Sequence, residues 1–442
     1  MRIESISFRN YRLFDDKGEH TLNFAPDKNV TVIVGNNGSG KTSILDAIAI
    51  QLSPFISAFP GYSIKPYLDS DMHIGYNEKW PDYLSVESFV KVKYNGTIRT
   101  VRTRKGSVKA PESDVKEIKN YAEYLAERIN SGDHTFEIPI LAYYGTGRGQ
   151  IQAPERKRNF QKAFSQWDAY DSALEASTNF KRFFAWYDLM EDEERRERDR
   201  IRDFDYKSPY LENVRRALNL FVGKKFTNPR IEIHPLRFVM DELGENGDKR
   251  ELRIEQMSDG YKIVIAMVAD IASRMAEANP NLPDPLNASG IVLIDEADLH
   301  LHVKWQREII QRLTETFPHI QFILTTHSPI MLSGADDLAQ FVLLSDQNIL
   351  PLSNRKFAHY DIGQLLLSEL FDLSSTHSPE MQKTLDRQKE LLSKTELTHD
   401  ESTELQAINR NISGWPLGNT RESIQINRLI KEMADRMGIG NE

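Results

Sequence analysis

A short glycine-rich segment, GNNGSGKT, lies between an apolar run (30–34) and a run of helical periodicity, SILDAIAIQL. It matches the phosphate-binding pattern G-x-x-x-x-G-K-[ST] in the context that pattern requires, after a strand and before a helix. Its glycines allow backbone amides to surround phosphates, while Lys41 reaches the β- and γ-phosphates and Thr42 binds Mg²⁺. The residues predicted to bind nucleotide here are Gly35, Asn36, Asn37, Gly38, Ser39, Gly40, Lys41, Thr42 and Ser43.

Two adjacent carboxylates, Asp295 and Glu296, directly follow the apolar strand IVLI (291–294). In P-loop enzymes an aspartate at this place holds Mg²⁺, and a second carboxylate can polarise the attacking water. Asp-Glu pairs are also common on protein surfaces, so the pair is informative because of its position. The pattern predicts Asp295 as a metal ligand and Glu296 as the general base.

Two further segments, QMSDGYK and TTHSP, add polar groups at element ends. Ser258, Asp259 and Gly260 open a predicted helix, and its free amides suit a phosphate. Because the chain already has a P-loop, we expect this helix start to bind nucleotide held by a second copy. The simpler alternative is an N-cap serine in a turn. His327 ends the strand IQFILTT and could contact the γ-phosphate or the attacking water, unless its role is structural.

The composition is that of an acidic globular protein without cysteine. The formal net charge is −9, so a contact with nucleic acid has to be local or made by a partner. Basic clusters near residues 99–105 and 156–158 are either such contacts or ordinary surface charge. The absence of cysteine excludes disulfides and thiolate chemistry. Without an apolar signal core or membrane-length run, the chain is predicted to be cytoplasmic and to make no membrane contact.

The hydrophobic pattern predicts a mixed α/β protein whose strands and helices alternate around the motifs. A β-rich entry and a hairpin at Asn95-Gly96 precede a helix at 112–130 and a strand at 138–145. Residues 156–222 are predicted to be helical, and their charged run EDEERRERDRIRD is typical of a solvated face. The later predicted segments are strands at 230–234 and 252–254 around the turn GENGD, a helix after Gly260, a βαβ series from 291 to 344, and helices beyond residue 355.

The ordered set GNNGSGKT, SDGYK, IVLIDEADLHLH and ILTTHSP resembles the ATP-binding-cassette (ABC) heads of the SMC, RecF and RecN group. The resemblance implies an α/β ABC-ATPase head that binds and hydrolyses ATP with Mg²⁺. It makes 257–261 the signature motif, 300–302 the D-loop region and His327 the switch histidine. It also suggests that Arg9 or Arg12 approaches the nucleotide, and it leaves Arg148 and Gln150 as alternatives for the glutamine-loop position.

The resemblance also predicts how the chain is organised into domains. We expect an N-terminal lobe of the head with the P-loop at 1–155 and a helical insertion at 156–222. The C-terminal lobe, with the signature, the Asp-Glu pair and the switch histidine, is expected at 223–353. An all-helical region that docks a partner is expected at 354–442.

Several classes of cassette ATPase fit less well. Lys41 and Ser258 are 217 positions apart, farther than in a transporter head, and a long SMC coiled coil is absent. The segment after residue 353 lacks the D-x-D site of the nuclease that OLD-type proteins carry, so no nuclease activity is expected. The remaining alternatives are a RecF/SMC-like repair or maintenance ATPase acting directly on DNA and an adapter with a vestigial ATPase site.

A head with a helical insertion and tail most resembles the ATPase subunits of bacterial Septu-type anti-phage systems, including retron-associated versions. The resemblance implies a homodimer or higher oligomer whose heads sandwich ATP. It also implies a partner nuclease of the HNH type, with a reverse transcriptase and small retron DNA in retron versions. We therefore expect ATP-dependent head dimerisation to control a nuclease in anti-phage defence.

Overall fold

Strands and helices alternate along most of the chain, and the two longest helices have 21 and 20 residues. The computed structural model describes residues 1–75, 80–93, 95–106, 111–133, 136–149, 165–177, 180–233, 236–244, 246–335, 337–345, 347–352, 360–368, 370–371, 373, 375–394 and 396–413. The strands are β1 (Arg2–Arg9), β2 (His20–Asn23), β3 (Val30–Gly35), β4 (Tyr83–Val92), β5 (Gly96–Lys105), β6 (Ile140–Tyr144), β7 (Phe226–Ile233), β8 (Leu236–Leu243), β9 (Lys249–Arg253), β10 (Gly290–Ile294), β11 (Ile320–Thr326), β12 (Ala339–Ser345) and β13 (Asn348–Leu352). The helices are α1 (Lys41–Ile56), α2 (Lys116–Asn130), α3 (Lys181–Ile201), α4 (Pro209–Val222), α5 (Asp259–Ala278), α6 (Val303–Thr316), α7 (Pro329–Ala335), α8 (Ile362–Leu366), α9 (Pro379–Leu392) and α10 (His399–Ser413).

A six-stranded sheet in the order β13-β12-β3-β11-β10-β6 forms the centre. The strands β12, β3, β11, β10 and β6 are parallel to one another, and β13 pairs antiparallel with β12 at one edge. Every residue of β3, β10 and β11 is buried. Continuous apolar strands of this kind form parallel sheets that are covered on both faces. Because the carboxyl ends of parallel strands meet at one edge, the predicted motifs after β3, β10 and β11 all lie at that edge.

An antiparallel sheet in the order β2-β1-β4-β5 contains the N-terminal strands. Buried and partly buried residues alternate along β4, as expected for a strand with one face on the core. The β4-β5 turn includes Gly96 at φ 75°, a conformation that glycine adopts without steric cost. The hairpin predicted from Asn95-Gly96 is therefore confirmed.

A third sheet, β7-β8-β9, corrects the expectation of two strands around GENGD. The turn lies between β8 and β9, and β8 pairs with both neighbours. The strand β8 has the sequence LRFVMDEL, which combines strand-forming residues with residues depleted in strands. Its conformation depends on antiparallel pairing on both sides, which local propensity does not encode.

The two helices α3 and α4 lie within the predicted helical insertion, whose residues 156–164 are outside the described ranges. The charged run in α3 is not wholly solvated. Glu194 is buried, accepts a hydrogen bond from Ser208 N at 2.7 Å, and pairs with Arg198 and Arg215. The carboxylate thus links α3 to the start of α4 and fixes the hairpin between them.

The chain forms two compact units, Met1–Phe371 and Asp372–Glu442. In the second unit, Arg387 of α9 donates two hydrogen bonds to the Glu404 carboxylate of α10, at 2.9 and 2.7 Å. Lys394 and Glu401 form a second ion pair between the ends of these helices. Within the described residues beyond 360 the regular elements are helices, as predicted for the tail. No helix in the described ranges combines the length and apolarity needed to span a membrane.

Candidate nucleotide site

The P-loop connects β3 to α1 through two glycines in the left-handed region, Gly38 at φ 82° and Gly40 at φ 98°. Residues that have a side chain rarely adopt this backbone conformation, so the loop needs glycine at both positions. A Cβ atom at Gly40 would also lie 3.2 Å from Leu13 Cδ1, which packs against the loop. The resulting turn ends at the N-terminus of α1, where unpaired backbone amides and the helix dipole favour phosphate.

Lys41 is folded back onto the loop that precedes it. Its Nζ donates to Gly35 O at 2.7 Å and to Asn36 O at 2.9 Å. Burial lowers the pKa of Lys41 below its ordinary value, while the carboxylates of Asp295, Glu296 and Asp298 act in the opposite direction. The lysine is therefore a partly desolvated cation held by weak carbonyl partners, and phosphate oxygens would be stronger partners.

Thr42 and Asp295, predicted as metal ligands, are in direct contact. Thr42 Oγ1 donates to Asp295 Oδ2 at 2.8 Å, and Thr325 Oγ1 donates to the other oxygen, Oδ1, at 2.6 Å. One hydroxyl and one carboxylate fit a Mg²⁺ ion that takes its other ligands from water and phosphate. In the described part of the chain, no cluster of three or more His, Asp or Glu side chains forms a complete metal cage. The residues present therefore fit magnesium bound together with nucleotide.

Glu296 and His327 face the same open cleft as the P-loop. The cleft is lined by Leu13, Asn37, Gly38, Gly40, Lys41, Thr42, Ser43, Asp295, Glu296 and His327. Glu296 has φ 47°, and its backbone amide donates to Thr325 Oγ1 at 2.7 Å. Burial and the nearby Lys41 lower the pKa of His327, so the neutral imidazole is favoured. The cleft thus brings together the predicted base and the predicted switch histidine.

Ser258, Asp259 and Gly260 form the start of α5 and do not line this cleft. Ser258 is the N-cap and is exposed, and its side chain makes no capping hydrogen bond. Asp259 pairs with Lys262 at 2.6 Å. Gly260 is buried, and a Cβ atom there would lie 3.0 Å from His300 O. The helix start therefore presents a free hydroxyl outward while its third residue packs against the chain.

Of the two alternatives for the glutamine-loop position, Arg148 and Gln150, only Arg148 lies within the described residues. Arg148 is 2% exposed, and its guanidinium donates to the backbone carbonyls of Gly145 and, closer still, Asp295 and Glu296. Its side chain thus holds the backbone of the carboxylate pair and points away from solvent. Gln150 lies outside the described residues.

Of the two N-terminal arginines, Arg12 is the nearer to the P-loop helix. Its guanidinium donates to Asp46 at 2.7 Å and Asp71 at 2.9 Å, and NH1 lies 3.4 Å from Ser43 Oγ. Arg9 instead lies over the Tyr83 ring, at 5.8 Å from its centroid. Arg12 therefore fixes the N-terminal turn, including Leu13, against α1.

Three residues that position the site were not identified in the sequence. Thr325 orients Asp295 and the Glu296 amide, and Thr326 Oγ1 donates to Asp298 Oδ1 at 2.6 Å. The available signal was TTHSP itself, because both threonines precede His327 at the edge where the carboxylates end. Gln306 bonds the loops that follow β10 and β11 and carries no sequence signal.

The site and the sheet define a P-loop ATPase. Residues 5–219 match a sequence family described as an AAA domain, and residues 120–333 match a second AAA domain family. The Retron Vc95 probable ATPase of Vibrio cholerae serotype O1 biovar El Tor is 31% identical over 74% of this chain and 71% of its own length. The Retron Ec83 probable ATPase of Escherichia coli is 28% identical over 85% of this chain and 77% of its own length. The Septu protein PtuA of Bacillus mycoides (strain KBAB4) is 26% identical over 93% of this chain and 50% of its own length.

The chain therefore belongs to the family of AAA-type P-loop ATPases found in retron and Septu defence systems. This confirms the family predicted from the combination of a head, a helical insertion and a helical tail. The sheets and helices also confirm the predicted α/β class, and the matched AAA domain families fit a P-loop ATPase domain.

Proposed function

We propose that this chain is the ATP-hydrolysing subunit of an anti-phage complex and that ATP-dependent pairing of its heads controls a partner nuclease. The observation that carries the proposal is the separation of two complementary surfaces. The cleft holds Lys41, Asp295, Glu296 and His327, whereas the exposed Ser258 hydroxyl lies at a helix start outside it. A head-to-tail pair would bring the Ser258 helix of one copy to the cleft of the other.

In this mechanism the P-loop amides and Lys41 bind the phosphates of ATP. Mg²⁺ held by Thr42 and Asp295 would neutralise charge on the phosphates. The Glu296 carboxylate, which has no hydrogen-bond partner among the described residues, accepts a proton from the attacking water. His327, which lines the same cleft, contacts the γ-phosphate. Loss of that phosphate removes the contact with Ser258 of the second copy, so the heads separate.

Mixing two inactive variants tests the shared site. Lys41→Ala disables a P-loop, and Ser258→Arg blocks a helix start, so each variant alone should be inactive. In an equal mixture half of the dimers are mixed, and each of these has one intact site out of two. ATP hydrolysis should therefore recover to about a quarter of the wild-type rate.

The matched control mixes Lys41→Ala with Glu296→Gln. Both residues act on nucleotide in the same chain's cleft, so no mixed dimer contains an intact site and the mixture should stay inactive. If the Lys41→Ala and Ser258→Arg mixture is as inactive as its components, the shared site is wrong.

The second unit is the proposed docking element for a nuclease of the HNH type and, in a retron setting, for a reverse transcriptase with its small DNA. Family membership with retron ATPases supports such partners. Among the described residues of this unit, Leu391 is the one fully buried apolar side chain, and α9 and α10 are joined mainly by ion pairs. A unit with so small an apolar core among its described residues would gain stability by packing against a partner.

Deleting residues 372–442 should leave ATP hydrolysis within about twofold of wild type and abolish co-purification of the nuclease. The cut follows the boundary of the first unit and retains the buried Leu365 and Leu370. Hydrolysis by the shortened chain serves as the control for folding. Nuclease that still co-purifies would show that docking uses another surface.

The competing role is a repair or maintenance ATPase that binds DNA directly. The net charge of −9 gives no general attraction to DNA, which supports contact through a partner. The purified chain should therefore bind gapped or branched DNA weakly, with or without ATP. Tight, ATP-dependent and salt-sensitive binding by the chain alone would favour the competing role.

A further inference from the structure

Two loops at the site edge are joined by a carboxylate. The first, called here the 298–302 loop, follows Glu296, and the second, the 326–328 loop, contains His327. Asp298 Oδ1 accepts hydrogen bonds from Thr326 Oγ1 at 2.6 Å and from His327 N at 3.2 Å. The backbone of the switch histidine is therefore held by the 298–302 loop.

Gln306 of α6 joins the same two loops a second time. Its Nε2 donates to Leu301 O at 2.9 Å, and its Oε1 accepts from Ser328 Oγ at 2.7 Å. Nε2 also lies 3.4 Å from Asp298 O. Ser328 Oγ accepts from Ile330 N at 3.2 Å, which leaves its hydroxyl proton for Gln306. The partners thus fix the amide orientation, because the amide supplies a donor to one loop and an acceptor to the other.

The 298–302 loop contacts the signature helix at its other side. His300 has φ 65°, and its carbonyl approaches Gly260 so closely that a Cβ atom there would lie 3.0 Å away. Gly260 is in the first turn of α5, two residues after Ser258. A continuous series of contacts therefore runs from the His327 loop through Gln306 to the helix start that Ser258 opens.

We propose that Gln306 is a positioning residue for ATP hydrolysis. Its hydrogen bonds fix the position of the 326–328 loop relative to the 298–302 loop. The His327 imidazole therefore stays in the part of the cleft where the γ-phosphate would bind. This rests on the proposed role of His327. Gln306 does not line the cleft, so it acts through His327 rather than on nucleotide. Through the same contacts, the loop that contains His327 in one nucleotide site is connected to the start of α5, which would enter the second site.

The test compares Gln306→Ala with Gln311→Ala in the full-length chain. Gln311 is the same residue type on the same helix, but its amide bonds only Glu315, at 2.8 Å. We expect Gln306→Ala to lower kcat for ATP about tenfold and to change the Kd for ATP by less than about twofold. Gln311→Ala should leave both unchanged. Gln306→Met preserves side-chain volume, so it should fold even if Gln306→Ala does not. It should lower kcat to the same extent as Gln306→Ala.

A double-mutant cycle separates positioning from a general structural effect. In a His327→Ala background, Gln306→Ala should lower kcat no further, because its effect passes through the imidazole. Additive losses, or an unchanged kcat in Gln306→Ala and Gln306→Met, would overturn the proposal while leaving the role of His327 intact. If His327→Ala itself does not lower kcat, the proposed function of that histidine is wrong, which is a distinct outcome.

Discussion

Replacing Glu296 by glutamine is expected to slow ATP hydrolysis by roughly 100-fold or more and to leave ATP binding intact. The side chain lines the cleft beside Lys41 and Thr42, and the change removes only its ability to accept a proton. The P-loop and the metal ligands are untouched, so bound ATP persists. The variant should therefore accumulate as an ATP-bound dimer, measured by light scattering after gel filtration in ATP and Mg²⁺.

Glu315→Gln is the matched control, because Glu315 is exposed on α6 and bonds Gln311 rather than nucleotide. It should hydrolyse ATP like the wild type and remain without an accumulated dimer. Turnover that is unchanged in Glu296→Gln would remove Glu296 as the base. Slow turnover without dimer accumulation would instead separate hydrolysis from head pairing.

The edge of the central sheet was predictable from sequence, because each motif follows a strand whose apolar run is long enough to be buried on both faces. Gly35, Ile294 and Thr326 end such strands, and parallel pairing places their carboxyl ends together. The contact between Thr42 and Asp295, across most of the chain, follows from that geometry. Strong local patterns here agree with the tertiary arrangement, which is why spacing and composition were sufficient.

The strand β8 and the orientation of Arg148 were not predictable in the same way. The residues of β8 become a strand through pairing with β7 and β9. The Arg148 guanidinium is buried because carbonyls from Gly145, Asp295 and Glu296 converge on it. An arginine after a glycine-rich turn has no local feature that distinguishes this buried position from one facing a nucleotide. Two of its three partners, the carbonyls of Asp295 and Glu296, are distant in sequence and directly follow β10.

The signature segment was only partly predictable from sequence. Sequence reasoning placed Ser258 at a helix start and left open whether it was a simple N-cap. The structure has Ser258 as the N-cap of α5 without a capping side-chain bond, and Gly260 packed against His300 O. A serine whose hydroxyl is free and exposed satisfies no donor of its own helix. The Ser258 hydroxyl is therefore available for the contact proposed with nucleotide bound by a second copy of the chain.

Replacing Lys41 by alanine is expected to weaken ATP binding by roughly 100-fold or more, and with it all hydrolysis and protection from phage. Lys41 is the cation of the cleft that lies next to the P-loop carbonyls, with its Nζ bonded to Gly35 O and Asn36 O. Alanine removes the ammonium group that would bind the phosphates, while the carboxylates of Asp295 and Glu296 remain in the cleft. Titration with ATP and Mg²⁺ measures the loss directly.

Lys91→Ala is the control for this experiment, because Lys91 is exposed on β4 and does not line the cleft. It should bind ATP like the wild type. Arginine at position 41 would not restore binding, since its planar guanidinium cannot occupy the compact space that an ammonium fills between two carbonyls. Wild-type affinity in Lys41→Ala would mean that nucleotide binds elsewhere. Normal binding with lost protection would instead place the function of Lys41 after binding, in the closure of the heads.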